Sequence, residues 1–101
     1  MLGSRLPTSD RRRIVILTGA RQTGKTTLLK QIYPDLRYVN LDAFENRAWL
    51  RQMSTLAWAD EVGCAVIDEA QKEPSVFEKV KYAFDDGALR FSALSGSAQF
   101  L

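Results

Sequence analysis

The sequence predicts a three-layer α/β/α fold with a mainly parallel sheet of about four strands. Four short apolar runs alternate with stretches that have helical spacing. The runs 14–18 and 64–67 are apolar nearly throughout, as in parallel strands that are covered on both faces. At 101 residues the chain has room for one domain, residues 1–101, with a single small core.

The strand predictions rest on apolar runs that are bounded by turn or helix signals. The expected strands are Ile14–Thr18, Arg37–Leu41, Cys64–Ile67 and Leu89–Leu94. The second and fourth alternate only in part between apolar and polar residues.

The first two helices are predicted from the spacing of apolar residues. A helix is expected over Lys25–Ile32, and Pro34 disfavours its continuation at Tyr33. A second should follow Asp42 as the N-cap and carry Phe44 in its apolar stripe.

Two further helices are expected in the second half of the chain. Residues 55–61 suggest a short helix. The last helix should begin near Pro74 and end at Gly87, because proline suits a first turn and glycine suits a helix end. Its expected buried residues are Val76, Phe77, Val80 and Phe84.

Composition excludes several kinds of chemistry. The chain has no histidine and one cysteine, Cys64, so it has no histidine-based triad, no zinc site of the Cys/His type and no intrachain disulfide. We interpret Cys64, which opens an apolar strand, as a small core residue. The absence of a long apolar stretch and of a signal-peptide pattern predicts a cytoplasmic protein without a membrane contact.

The net charge of +2 is too mild to indicate a nucleic-acid binder. The basic cluster Arg11–Arg13 precedes the first strand. Both a solvated strand flank and a contact with an anion or partner stay open for it.

The segment 19–26 fits the phosphate-binding pattern G-x-x-x-x-G-K-[ST] of P-loop NTPases, between a predicted strand and a predicted helix. Gly19 and Gly24 allow backbone conformations that bring amides close to phosphate oxygens. The amides from Gly24 to Thr27 form the first turn of a helix, which favours a polyphosphate. Lys25 adds a charge against the β- and γ-phosphates, and the Thr26 hydroxyl is placed to bind Mg²⁺. The alternative is a glycine turn that leads into a helix.

An acidic pair follows the third predicted strand. Asp68, at the strand end, is placed to hold a water of the Mg²⁺ shell, and Glu69 to polarise the attacking water as general base. The alternative is that two carboxylates simply mark the point where a strand reaches the surface.

Three smaller features stay open. Arg21 and Gln22 are interpreted as solvated loop residues. Gln71 is placed either to touch the nucleotide or to lie on the surface at a helix entry. The turn 95–97 (SGS) either contacts the γ-phosphate or the attacking water, or is an ordinary serine-rich turn.

The segments IVILTGARQTGKTTLLKQI, YVNLD, CAVIDEAQKEPSVFEKVK and LSGSAQFL together resemble the N-terminal ATPase domain of a family of bacterial and archaeal AAA-type ATPases. These proteins usually carry an uncharacterised C-terminal domain. The resemblance implies that Lys25 and Thr26 contact phosphate and magnesium, that Asp68 and Glu69 are the acidic pair, and that Ser97 is the sensor of the γ-phosphate.

The resemblance also implies parts that this sequence does not supply. Family members are longer and have a fifth core strand, an arginine finger and a lid. We therefore expect an incomplete AAA core whose first strand lies at a bare sheet edge. The expected partners are ATP and either further copies of the chain or a separate C-terminal remainder.

Two functions are carried forward, both with ATP and Mg²⁺ as ligands: ATP hydrolysis, and ATP binding without useful turnover. A nucleic-acid motor is less favoured, because the interval between Lys25 and Asp68 is short and no basic stripe with interleaved aromatics is present. A GTPase is disfavoured, because Gln71 stands where glycine is expected and no Asn-Lys-x-Asp segment occurs.

Overall fold

A computed structural model describes residues 12–17 and 25–96, with the side chains of Lys25 and Thr26 outside the description. In chain order the described elements are β1 (Arg13–Leu17), α1 (Lys25–Ile32), β2 (Arg37–Asn40), α2 (Phe44–Gln52), α3 (Trp58–Glu61), β3 (Ala65–Asp68), a 3₁₀ turn (Ala70–Lys72), α4 (Ser75–Asp85) and β4 (Phe91–Ser95). The four strands form one sheet in the order β1-β4-β3-β2, and every pairing is parallel. The predicted α/β class and all four predicted strands are confirmed, with shifts of one or two residues at their ends.

Burial follows the position of each strand in the sheet. Every residue of β3 and β4 is buried, because neighbouring strands flank both and helices cover both faces. β1 lies at one edge of the described sheet, as the resemblance implied, and Ile16 on it is 52% exposed. The expectation that the first strand is covered on both faces is therefore wrong for Ile16.

Two apolar clusters lie on opposite faces of the sheet. The first packs α1 against one face; its buried members are Val15, Leu29, Tyr33, Val66, Phe91 and Ala93. The second packs α2, α3 and α4 against the other face, with Leu50, Trp58 and Ile67 among its buried residues. Helix, sheet and helices thus form the three predicted layers. Cys64 is half-buried and packs against both clusters.

α1 has the predicted bounds, whereas α2 corrects two expectations. Its N-cap is Ala43 without a side-chain hydrogen bond, and the Asp42 carboxylate instead pairs with the Lys72 ammonium group. Phe44 is 68% exposed, and the Arg47 guanidinium lies over its ring. The prediction that Phe44 belongs to the buried apolar stripe of this helix is therefore wrong.

α4 begins after Pro74 and ends before Gly87, which has the positive φ of 86° expected at a helix end. Val76 and Val80 are buried as predicted, but Phe77 and Phe84 are only partly buried. Arg12 donates a hydrogen bond to the Phe84 carbonyl and lies over the Phe84 ring, 4.0 Å from its centroid. This member of the basic cluster therefore packs on α4, and neither interpretation of the cluster anticipated that contact.

Candidate nucleotide site

Polar residues end three neighbouring strands at the same edge of the sheet. Because the strands are parallel, their carboxyl ends meet there, with Asn40 on β2, Asp68 on β3 and Ser95 on β4. Ligands of open α/β sheets bind outside the carboxyl ends of the strands. This edge is therefore the candidate site.

The described residues flank the predicted phosphate loop, residues 19–26, on both sides in sequence. β1 ends at Leu17 and α1 begins at Lys25, so the loop joins the carboxyl edge of the sheet to the N-terminus of α1. The Gly96 amide donates a 3.1 Å hydrogen bond to the Leu17 carbonyl. The end of β4 therefore lies beside the point where the loop begins.

Most of the predicted phosphate-binding residues lie outside the described part. Gly19 and Gly24 fall there with Arg21 and Gln22, and so does Ser97. The backbone of Lys25 and Thr26 forms the start of α1 as predicted, and Thr27 is an exposed residue of its first turn. The roles assigned to all these residues remain predictions.

Asp68 is buried at the end of β3, with only 2% of its surface exposed. It alternates with Ile67 and so lies on the same face as Val66, the face that α1 covers. Its Oδ2 accepts a 2.6 Å hydrogen bond from the Tyr38 hydroxyl, and its Oδ1 accepts a 3.0 Å bond from the Glu69 amide. The structure thus holds this carboxylate by a hydrogen bond at each of its two oxygens.

Glu69 turns the chain sharply at the end of β3. Its backbone is left-handed, with φ 57° and ψ 42°, in the region that favours glycine. Such a conformation costs a non-glycine residue about 1 kcal/mol or more, and strain of this kind is concentrated at functional sites. The turn leaves Glu69 buried, with 6% of its surface exposed, and leads into the 3₁₀ turn.

Gln71 contacts the acidic pair directly. Its Nε2 donates a 2.9 Å hydrogen bond to Glu69 Oε1. Its Oε1 is buried and accepts no hydrogen bond from the described residues. A carboxylate only accepts hydrogen bonds, so this contact fixes which end of the amide faces Glu69. Gln71 is therefore half-buried against Glu69, and its contact with a nucleotide stays a prediction.

Ser95 lies at the candidate site, whereas within the turn SGS the resemblance singles out Ser97. It alternates with Leu94 and lies on the same sheet face as Ala93 and Asp68. It is completely buried, and its Oγ makes no hydrogen bond within the described residues. The available signal was its place directly after the fourth predicted strand, because polar residues at the carboxyl ends of parallel strands lie where ligands bind.

The segment that follows Glu69 is tied to α2 and α4. The Glu73 carboxylate accepts a 2.6 Å hydrogen bond from the Ser75 hydroxyl and a 3.0 Å bond from Arg51 Nε. The hydrogen bond from Ser75 lowers the pKa of Glu73 below its ordinary value, burial opposes it, and Arg51 adds to the lowering. Together with the Lys72–Asp42 pair, these bonds hold the backbone beside the acidic pair.

Comparison with known families decides the identity of this arrangement. A family model described as an AAA domain matches residues 11–101. The chain belongs to the AAA domain family. A separate comparison with curated proteins finds no match. The match covers residues 11–101, so the predicted resemblance to an AAA-type ATPase domain is confirmed.

Membership in this family gives the AAA domain a nucleotide-binding, ATPase-type function. AAA domains generally bind ATP with Mg²⁺ and often form oligomers. In the part of the chain that the structure describes, none of the helices is long and apolar enough to span a membrane.

Proposed function

We propose that this AAA domain binds Mg-ATP at the carboxyl edge of its sheet and uses Asp68 and Glu69 in hydrolysis. The observation that carries the proposal is the buried Asp68 carboxylate at the end of β3, on the face covered by α1. Its place at the carboxyl edge of the sheet, where ligands of open α/β sheets bind, supports a role with a cation that arrives with the nucleotide.

The donor set at this edge suits magnesium. Asp68 and Ser95 offer oxygen atoms, which are the ligands that Mg²⁺ prefers. Among the described residues, no group of three or more acidic, cysteine or histidine side chains could hold a metal by itself. We therefore propose that Asp68 holds a water of the magnesium shell, that Thr26 binds the ion, and that the nucleotide phosphates complete the set. Bound magnesium neutralises charge on the phosphates.

The remaining roles follow the phosphate loop and the acidic pair. We assign the amides from Gly24 to Thr27 and the Lys25 ammonium group to the phosphates. Glu69 accepts the proton of the attacking water as general base. The hydrogen bond from Gln71 supports this role, because it holds the Glu69 carboxylate in one position.

The same hydrogen bond favours a second candidate, ATP binding without turnover. Glu69 Oε1 is engaged by Gln71, and a base so engaged is less available to a water. ATPases of this kind also gain about 10³- to 10⁵-fold in rate from an arginine that approaches the γ-phosphate. A turnover assay beside a binding assay separates the two candidates.

The test is Lys25→Ala, followed by calorimetric titration with Mg-ATP. Removing a charged contact to phosphate should weaken binding about 10- to 100-fold. Alanine is a strong helix former, so the circular dichroism spectrum should not change. Lys81→Ala is the matched control, because Lys81 is exposed on α4 and pairs with Asp85. Equal affinity in wild type and Lys25→Ala would contradict the proposal.

A further inference from the structure

Tyr38 of β2 reaches across to the acidic pair. In the parallel pairing of β2 with β3, Tyr38 stands opposite Val66, so Asp68 lies two residues further along the neighbouring strand on the same face. Long side chains can bridge this diagonal distance. The Tyr38 hydroxyl donates to Asp68 Oδ2 over 2.6 Å, a length typical of a hydrogen bond to a charged acceptor.

The Asp68 carboxylate is oriented by the Tyr38 hydrogen bond together with a second one. Its other oxygen accepts the Glu69 amide at 3.0 Å. One contact comes from the neighbouring strand and the other from the next residue along the chain. A hydrogen bond at each oxygen restrains rotation of the carboxylate about the Cβ–Cγ bond.

The ring of Tyr38 is held independently of its hydroxyl. It packs against the cluster that lies under α1. The Lys30 ammonium group from α1 also lies over the ring, 4.6 Å from its centroid. A phenylalanine would satisfy both contacts but would lose the hydrogen bond to Asp68.

We propose that Tyr38 is a positioning residue of the magnesium site. It fixes the Asp68 carboxylate in the orientation that meets the hydration shell of the ion bound with ATP. Mutation of groups that orient the ligands of a metal site typically costs about 10- to 100-fold in metal affinity. The inference rests on the proposed function, because it assigns a role toward the same ion.

The test compares the wild-type chain with Tyr38→Phe, which removes the hydroxyl and keeps the ring. Mn²⁺ serves as the probe, and electron paramagnetic resonance measures its affinity in the presence of a non-hydrolysable ATP analogue. Tyr38→Phe should weaken Mn²⁺ binding about 10- to 100-fold. Affinity for the analogue in excess chelator should stay unchanged, because Tyr38 acts on the ion and not on the nucleotide. Tyr82→Phe makes the same chemical change on the exposed face of α4 and should leave both affinities unchanged.

A double-mutant cycle shows whether the effect passes through Asp68. In an Asp68→Ala background there is no carboxylate to orient, so Tyr38→Phe should no longer change the Mn²⁺ affinity. A Tyr38→Phe effect of the same size in both backgrounds would overturn the inference. So would a Tyr38→Phe chain that melts at a lower temperature but binds Mn²⁺ like wild type, since that result assigns the hydroxyl to stability alone.

Failure of the inference differs from failure of the proposed function. If the wild-type chain binds the nucleotide with Mn²⁺ and Tyr38→Phe binds it equally well, only the role of Tyr38 is refuted. If the wild-type chain binds neither, the proposed function and the inference fall together.

Discussion

Glu73→Gln should destabilise the ligand-free AAA domain by about 1–2 kcal/mol at neutral pH. Only 6% of Glu73 is exposed, and its carboxylate accepts bonds from Ser75 and Arg51. A hydrogen bond to a charged group contributes about 1.5–3 kcal/mol. The Arg51 side chain is 68% exposed, so its ion pair adds only about 0–1 kcal/mol. The glutamine side-chain oxygen can still accept the Ser75 hydrogen bond, though less strongly than a carboxylate, so the net destabilisation is smaller than the full value of that bond.

The destabilisation should depend on pH in a defined direction. The Ser75 hydrogen bond lowers the pKa of Glu73 from 4.5 in the folded chain, burial opposes it, and Arg51 adds to the lowering. The folded state therefore favours the carboxylate. Its contribution is fully present above about pH 4.5 and is lost as the pH falls through the folded-state pKa. The difference between wild type and Glu73→Gln should shrink over that acid range.

Thermal unfolding followed by circular dichroism measures this difference. At about 4–8 °C per kcal/mol for a domain of this size, Glu73→Gln should lower Tm by about 5–15 °C at pH 7. Glu61→Gln, at an exposed position at the end of α3, is the control and should change Tm little. A Glu73→Gln deficit that is equally large at pH 7 and at about pH 3 would refute the argument, because it would not depend on the charge.

Two further predictions concern the acidic pair. Glu69→Gln should reduce ATP turnover about 10²- to 10⁴-fold while ATP remains bound, because the amide cannot take the proton of water but can still accept the Gln71 bond. Phosphate release beside calorimetry checks this, and unchanged turnover would argue against a general base. Asp68→Asn should weaken binding of Mg-ATP and leave binding of ATP in excess chelator unchanged, since the asparagine oxygen can still accept from the Glu69 amide while its NH₂ group donates to the Tyr38 hydroxyl. Equal weakening with and without magnesium, measured by the same titration, would count against a magnesium role.

The sequence predicted the elements of the fold better than their contacts. β3 and α1 were predictable, because a continuous apolar run and an apolar face at helical spacing are local patterns. The exposure of Phe44 was not predictable from the sequence. Whether a residue in the first turn of a helix contacts the core depends on how the helix is oriented against the sheet, which is not a local property.

The candidate site was predictable as a set of residues but not as a hydrogen-bonded network. Asp68 and Glu69 follow a buried strand, which marks them from sequence alone. The bond from Tyr38 depends on β2 lying beside β3 and on their register, and neither is a local property. The roles of Gln71 and Ser95 were ambiguous for a similar reason. The burial of their polar atoms depends on tertiary packing, which the local sequence does not show.

The left-handed backbone of Glu69 sets stability and chemistry against each other at one position. Glycine adopts φ 57° without the steric cost that a Cβ atom brings, so it would be the better residue for the turn itself. The chain instead places a carboxylate there and gives up about 1 kcal/mol of folding free energy, a sizeable share of the roughly 5–15 kcal/mol that stabilises a typical domain. A variant selected for thermal stability alone would thus be drawn toward discarding the side chain on which the proposed reaction depends.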